Sequence, residues 1–144
     1  SFPISLSSPA ELPSGLHMQL WAEFMDALFQ LGARINEEDE SIPFFVEALE
    51  VFVQNQLSAR LFLHLPFVPG RRHAWALFLS AGGNASYGLG LREHDISTKI
   101  TALEKSVDCH RNALEIYTCK EFPEQHMVTR QNLEGSLDAL RQIA

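Results

Sequence analysis

The chain has 144 residues, 46% hydrophobic and 20% charged, the composition of a single globular domain that buries about two-thirds of its unfolded surface. A formal charge of −7 argues against nonspecific nucleic-acid binding, and no apolar run reaches the ~18 residues of a membrane span. Cys109 and Cys119 stand ten positions apart on or beside one expected helix, a rise of ~15 Å that no disulfide bridges, so free thiols and a reducing, cytoplasmic setting are expected.

Residues 1–13, with Pro3, Pro9 and Pro13 among several serines, read as an irregular lead-in. From Ser14 to Leu31 the apolar set Leu16, Leu20, Trp21, Phe24, Leu28 and Leu31 follows helical spacing, and Gly32 marks the stop. The acidic block Glu37-Glu38-Asp39-Glu40 leads to Ser41, read as the N-cap of a second helix ending near Gln54, with Pro43 in its first turn. Phe45, Leu49 and Phe52 are its inward positions. Leu57–Leu65 is ambiguous between a short strand and a helix end, because periodicity does not separate the two in a short apolar run; Pro66 and Pro69-Gly70 close it.

A third helix runs from about Arg72 through Trp75, Phe78 and Leu79 into Gly82-Gly83. Glycines there cost ~1 kcal/mol each relative to alanine, which close packing against a neighbouring helix would offset. Gly88–Asp95 reads as a loop, about 96–119 as a long helix, and the residues after Pro123 as a last helix. No segment alternates over enough residues to demand a sheet, so the expected fold class is all-α.

Parts of the chain echo one another. Trp75-Ala76-Leu77 aligns with His126-Met127-Val128, 51 positions later, and the same offset pairs Ser80-Ala81 with Gln131-Asn132. Trp21-Ala22 precedes Trp75-Ala76 by 54 positions, and Glu47-Ala48-Leu49-Glu50-Val51-Phe52 precedes Asn112-Ala113-Leu114-Glu115-Ile116-Tyr117 by 65. The unequal offsets describe degenerate helix-pair copies with loop insertions, placed at about 14–56, 70–119 and an incomplete 122–144. Such a pair cannot bury its own apolar stripe and stacks on its neighbours.

Trp75-Ala76 followed by Gly83-Asn84-Ala85, then Leu103-Glu104-Lys105, Ala113-Leu114-Glu115-Ile116-Tyr117-Thr118 and Phe122-Pro123-Glu124-Gln125, resembles the long tetratricopeptide repeats of large multidomain signalling proteins. The likeness covers roughly 70–140 and, more loosely, 16–55. It departs at Glu134, where a small residue is expected, at Gly82, where a large apolar one is, and at His126, where the pattern has Trp. The resemblance implies antiparallel helix pairs stacked as an α-solenoid whose first helices line a concave groove. It places Ser80, Asn84 and Tyr87 on one inner helix and Gln131, Asn132 and Gly135 on the next. The implied function is a protein-interaction module that holds a peptide or partner helix. Asparagine amides both donate and accept, and so suit an extended peptide backbone. Arg71, Arg72 and Arg130 would add attraction for acidic ligands. The lysines of the carboxylate-clamp subfamily are missing at the matching positions, so a chaperone C-terminal-peptide role is not implied.

Two other functions stay open. One is an oligomerisation or linker segment of a larger sensor or scaffold, self-associating through its repeat ends. The chain opens on Ser1 and ends in the helical pattern Leu140-Arg141-Gln142-Ile143-Ala144, as expected of a piece of a longer array. The other is a small-ligand-binding helical domain using Trp21, Phe24, Phe45 and Phe52. Catalysis has little to build on. The six histidines show no i, i+4 pair with Glu, Gly82-Gly83…Gly88…Gly90 lacks a Gly-Lys-Ser/Thr ending, and no Gly-x-Ser-x-Gly elbow occurs. No enzyme, metal, cofactor, nucleic-acid or membrane partner is expected.

Overall fold

A computed structural model describes residues 15–63 and 70–143. Among them the chain forms five helices and no strand: α1 (Gly15–Ala33), α2 (Glu38–Leu63), α3 (Arg71–Arg92), α4 (Ile96–Leu114) and α5 (Pro123–Ile143). The fold is all-α, as expected. The lead-in 1–13 and the stretch 64–69 lie outside the described residues.

Helix boundaries differ from the expected ones in four places. Ser41 is not an N-cap: α2 already begins at Glu38, and Ser41 is buried within it, its N–H donating to Glu37 O at 3.0 Å and its Oγ to Glu38 O at 2.8 Å. Glu38, Asp39 and Glu40 thus occupy the first turn, where carboxylates stabilise the positive end of the helix dipole. The same helix runs on to Leu63, with Ala59 fully buried, so the ambiguous apolar run is helical as far as the structure describes it. Gly82 and Gly83 lie inside α3 as expected, but most of Gly88–Asp95, read as a loop, is helix too: α3 continues through Gly88 and Gly90 to Arg92. Helix α4 ends at Leu114, and 115–122 turns back toward α5.

The continuation of α3 has a packing cause. A β-carbon on Gly82 or Gly88 would come closer than 3.0 Å to the Phe52 or Phe45 ring of α2; on Gly83 or Gly90 it would come as close to His110 or Leu103 of α4. These contacts also give direction. Positions advance along α3 as they retreat along α2 and α4, so α3 is antiparallel to both. Helix α1 turns back into α2 after four residues and lays Trp21 against Phe78 of α3, with ring centroids 6.1 Å apart. Helix α5 packs on α4 and touches α3 along one strip. Helix α3 is therefore the centre of the molecule.

Core side chains come from every layer except α5: Met18, Trp21 and Met25 of α1, Val51 and Phe52 of α2, Phe78 and Leu79 of α3, and Cys109 and Ala113 of α4. Phe52 stacks on Phe78 at 4.8 Å, and burying such a ring contributes ~1.5–3 kcal/mol. Trp21, Phe45 and Phe52, three of the four aromatics considered for a small-ligand pocket, are buried packing residues, and Phe24 lies half-buried against the same core.

Helix starts in the series α1, α3, α5 are 56 and 52 residues apart, near the 54- and 51-residue echoes; α2 and α4 start 58 apart. The 65-residue echo has no structural counterpart. Ala48 lies in the first half of α2 and Ala113 next to the end of α4, so that likeness is one of helix composition.

Two stability measurements test this packing. Gly88→Ala should destabilise by ~1–3 kcal/mol because of overpacking, although alanine is intrinsically the better helix former. Gly135→Ala on α5 meets nothing nearer than Tyr87 Oη at 3.6 Å and should stabilise by ~0.5–1 kcal/mol. Urea unfolding of the pair gives opposite signs if α3 is held as described.

His110 supplies the other test. It is fully buried, and burial pushes its imidazole down to about 4. The unfolded chain, with an ordinary value of ~6.5, takes up a proton that the folded chain refuses. Stability is complete above that value and falls as pH drops toward 4, by ~2 kcal/mol between pH 7 and 5. Urea midpoints should show this slope in the wild type and lack it in His110→Leu; parallel curves would mean that the buried ring accepts the proton.

Candidate binding groove

Asn132 on α5 meets Asn84 on α3, and both advance by one turn to the next contact, Gly135 with Tyr87; α5 therefore runs parallel to α3. So does α1, through two antiparallel steps. Three parallel helices thus lie side by side with α3 in the middle, and the strip Leu77, Ser80, Asn84, at i, i+3 and i+7, forms a floor between the outer two. On the α1 side this strip and Ala81 face Gln19, Ala22, Glu23 and Asp26 across a cavity of about 450 Å³. On the α5 side it faces Glu124, Gln125, Val128, Thr129 and Asn132 across one of about 320 Å³, with Tyr117 also in the wall.

At the join, Asn132 Nδ2 donates to Asn84 Oδ1 at 3.4 Å, and both side chains are half-buried. This pairing leaves the Asn84 N–H groups and the Asn132 carbonyl oxygen for another molecule. Beside them, Ser80 Oγ is buried without a hydrogen-bond partner among the described residues.

A buried polar link sets the position of Asn132. Ser106 of α4 donates to Gly83 O at 2.8 Å, so the proton shared with Ser136 Oγ, also 2.8 Å away, comes from Ser136. Ser136 Oγ lies 3.2 Å from Asn132 O as well. One chain of contacts therefore runs from the α3 backbone through α4 to the turn of α5 that carries Asn132.

The wall at Tyr117 is equally fixed. Its hydroxyl lies 3.2 Å from His73 Nδ1, and His73 stacks on Phe122 with centroids 5.5 Å apart. His126 donates from Nδ1 to Tyr117 O at 2.8 Å, since a carbonyl only accepts. Burial pushes the phenol up to about 12. His126, where the repeat pattern has Trp, is here the anchor of the turn before α5.

Of the residues expected at a groove, the structure brings together Ser80, Asn84 and Asn132. Tyr87 lies one turn beyond Asn84, its ring against Gly135. Arg130 and Gln131 are exposed on α5 and line neither cavity. Arg71 and Arg72 are not groove residues either. They line a separate cavity of about 450 Å³ with Arg60, Trp75, Asn112, Glu115 and Ile116, and Arg72 lies 3.7 Å from Glu121. The acidic-ligand attraction expected from them is thus displaced from the groove.

Sequence reasoning missed the α1 wall. Glu23 and Asp26, three positions apart and exposed on α1, carry no local signal beyond that of a solvated helix face. Leu77, Glu124, Gln125, Val128 and Thr129 were missed as well, although Leu77 sits one turn before Ser80 on the same face. Among the described residues no group of three His, Cys, Asp or Glu could hold a metal ion, and no helix is long and apolar enough to cross a membrane. Cys109 is buried, its thiol pushed up to about 12 by desolvation, while Cys119 is exposed. Compared with protein-family models, with curated proteins and with solved structures, the chain matches none.

Proposed function

We propose that this chain is a protein-interaction module of the tetratricopeptide type, holding an extended peptide or partner helix in the groove of α1, α3 and α5. The observation that carries the reading is the Asn84–Asn132 pair, which joins the groove floor to the α5 wall between two cavities and leaves the Asn84 N–H groups and the Asn132 carbonyl oxygen over. Paired amides match the alternating N–H and C=O groups of an extended backbone. Leu77 and the half-exposed Val128 offer apolar contact for side chains of the bound segment. The packing order supports the repeat reading: α2 and α4 alternate with three parallel helices that share one face.

The test uses peptides selected from a random display library on the immobilised wild type. Each peptide-backbone hydrogen bond contributes ~0.5–1.5 kcal/mol, so Asn84→Ala/Asn132→Ala should weaken the selected peptides by roughly tenfold or more. The two side chains bond to each other, so removing both leaves no orphaned partner, and the melting temperature should move by only a few degrees. Selected peptides that bind the double variant as tightly as the wild type would place the site elsewhere.

A second reading, self-association, has its own observation. Val53, Leu57 and Leu61 follow one another at four-residue steps on α2 and are 56%, 70% and 48% exposed. Sedimentation velocity should then show a concentration-dependent dimer that Leu57→Glu abolishes; a wild type monomeric at high concentration discards this reading.

A further inference from the structure

We infer that the groove is selective for cationic segments: an extended peptide with lysine or arginine side chains near both ends of a stretch of about five residues. The inference rests on the peptide-groove reading and adds the chemistry of the occupant.

The two walls carry the same charge. Glu23 and Asp26 stand on the α1 wall and Glu124 on the α5 wall, and no lysine or arginine is among the residues lining either cavity. All three carboxylates are exposed. The Glu23 carboxylate accepts a hydrogen bond from Gln19 Nε2 at 3.2 Å, a neutral partner that leaves its charge uncompensated.

Several cations are engaged elsewhere. Arg92 lies 4.9 Å over the Phe45 ring and Lys105 5.4 Å over that of Phe52, Lys99 donates to Gly90 O at 2.6 Å, and Arg141 pairs with Asp138. Arg60, Arg71 and Arg72 line the other cavity. Arg130, exposed on α5, belongs to neither cavity lining. The overall charge of −7 adds a long-range field of the same sign as the walls.

The floor between the walls is the uncharged strip Leu77, Ser80, Asn84. A ligand that satisfies both features has an uncharged middle whose backbone meets the asparagines and cationic side chains that reach the walls. Packed helices lie ~8–10 Å apart, so the walls stand on the order of 20 Å from each other, a distance that about five or six extended residues cover. An acidic segment meets three like charges in the same place.

Exposed ion pairs are individually weak, so the expected effect is moderate: about tenfold in affinity for the three together, much of it in the association rate and all of it sensitive to salt. The experiment repeats the library selection on the wild type and on Glu23→Gln/Asp26→Asn/Glu124→Gln, whose substitutions are isosteric and at exposed positions. Peptides selected on the wild type should be enriched in Lys or Arg at two places about five residues apart. They should bind the neutralised variant about tenfold more weakly and lose affinity as NaCl rises from ~0.05 to ~0.5 M. The salt titration of the wild type requires no variant to fold.

Peptides that depend on Asn84 and Asn132 but show no basic enrichment, or bind the neutralised variant unchanged, overturn cation selectivity and leave the groove standing. Peptides indifferent to Asn84 and Asn132 overturn the groove reading and the selectivity with it. A library that yields no binder counts against both.

Discussion

Helix α3 is covered on two sides by side chains that leave no room for a β-carbon. Phe45 and Phe52 press on it from α2, and His110 and Leu103 from α4. In isolation, its four glycines would make this the weakest helix of the five, since each lowers helix propensity by ~1 kcal/mol relative to alanine. The loss is offset by what the glycines admit: fully buried rings lying directly on the helix backbone, each contributing more than a propensity difference. Because α2 and α4 occupy those two sides, the strip Leu77, Ser80, Asn84 faces a third direction, between α1 and α5. The groove floor is the part of α3 that the glycine contacts leave over.

The two groove walls are held by different physics. Helix α1 contributes Met18, Trp21 and Met25 to the core and is fixed by apolar burial. In α5 only Thr129 and Ser136 are buried, and its polar link through Ser136 and Ser106 to Gly83 O takes the place of large core side chains. A buried hydroxyl chain of this kind is directional, because each hydroxyl has one proton to give. It specifies which turn of α5 lies over α3 and so brings Asn132 to Asn84. Apolar packing alone would tolerate sliding by a turn far more easily than a chain in which a slip leaves buried oxygens unpaired.

Periodic features of the chain were legible in the sequence, and long-range ones were not. The apolar spacing of α1 and the Phe-Pro break before α5 are local signals, and both helices formed close to where spacing put them. The course of α3 from Gly88 to Arg92 was not, because the side chains that pack on Gly88 and Gly90, Phe45 and Leu103, belong to other helices, and local propensity points the other way. Ser41 shows the same competition on a small scale: its type suits an N-cap, but the three acidic residues before it begin the helix earlier. Ser80, Asn84 and Asn132, which line one cavity, were singled out through a family resemblance and not through chemistry visible in the residues themselves. Arg71, expected to add attraction for acidic ligands, precedes Ser80 by nine residues, and nine residues of helix are a rise of about 14 Å, enough to reach a different cavity. Glu23 and Asp26 became a wall only when the chain brought Glu124 opposite them, about a hundred residues later.

In the proposed peptide-binding function, these features would divide the recognition work between floor and walls. There the asparagine pair would address peptide backbone, which every segment has, and would therefore supply affinity with little sequence preference. The carboxylates act through exposed charge, which is worth little per pair, but the sign is the same on both sides of the groove and is reinforced by the whole molecule. Under that proposal repulsion is as useful as attraction: a like-charged segment would lose on the walls what it gained on the floor, and discrimination would be the difference between the two. On this proposal, a floor that would hold any extended chain and walls that would repel acidic ones together make a selective surface out of individually weak contacts.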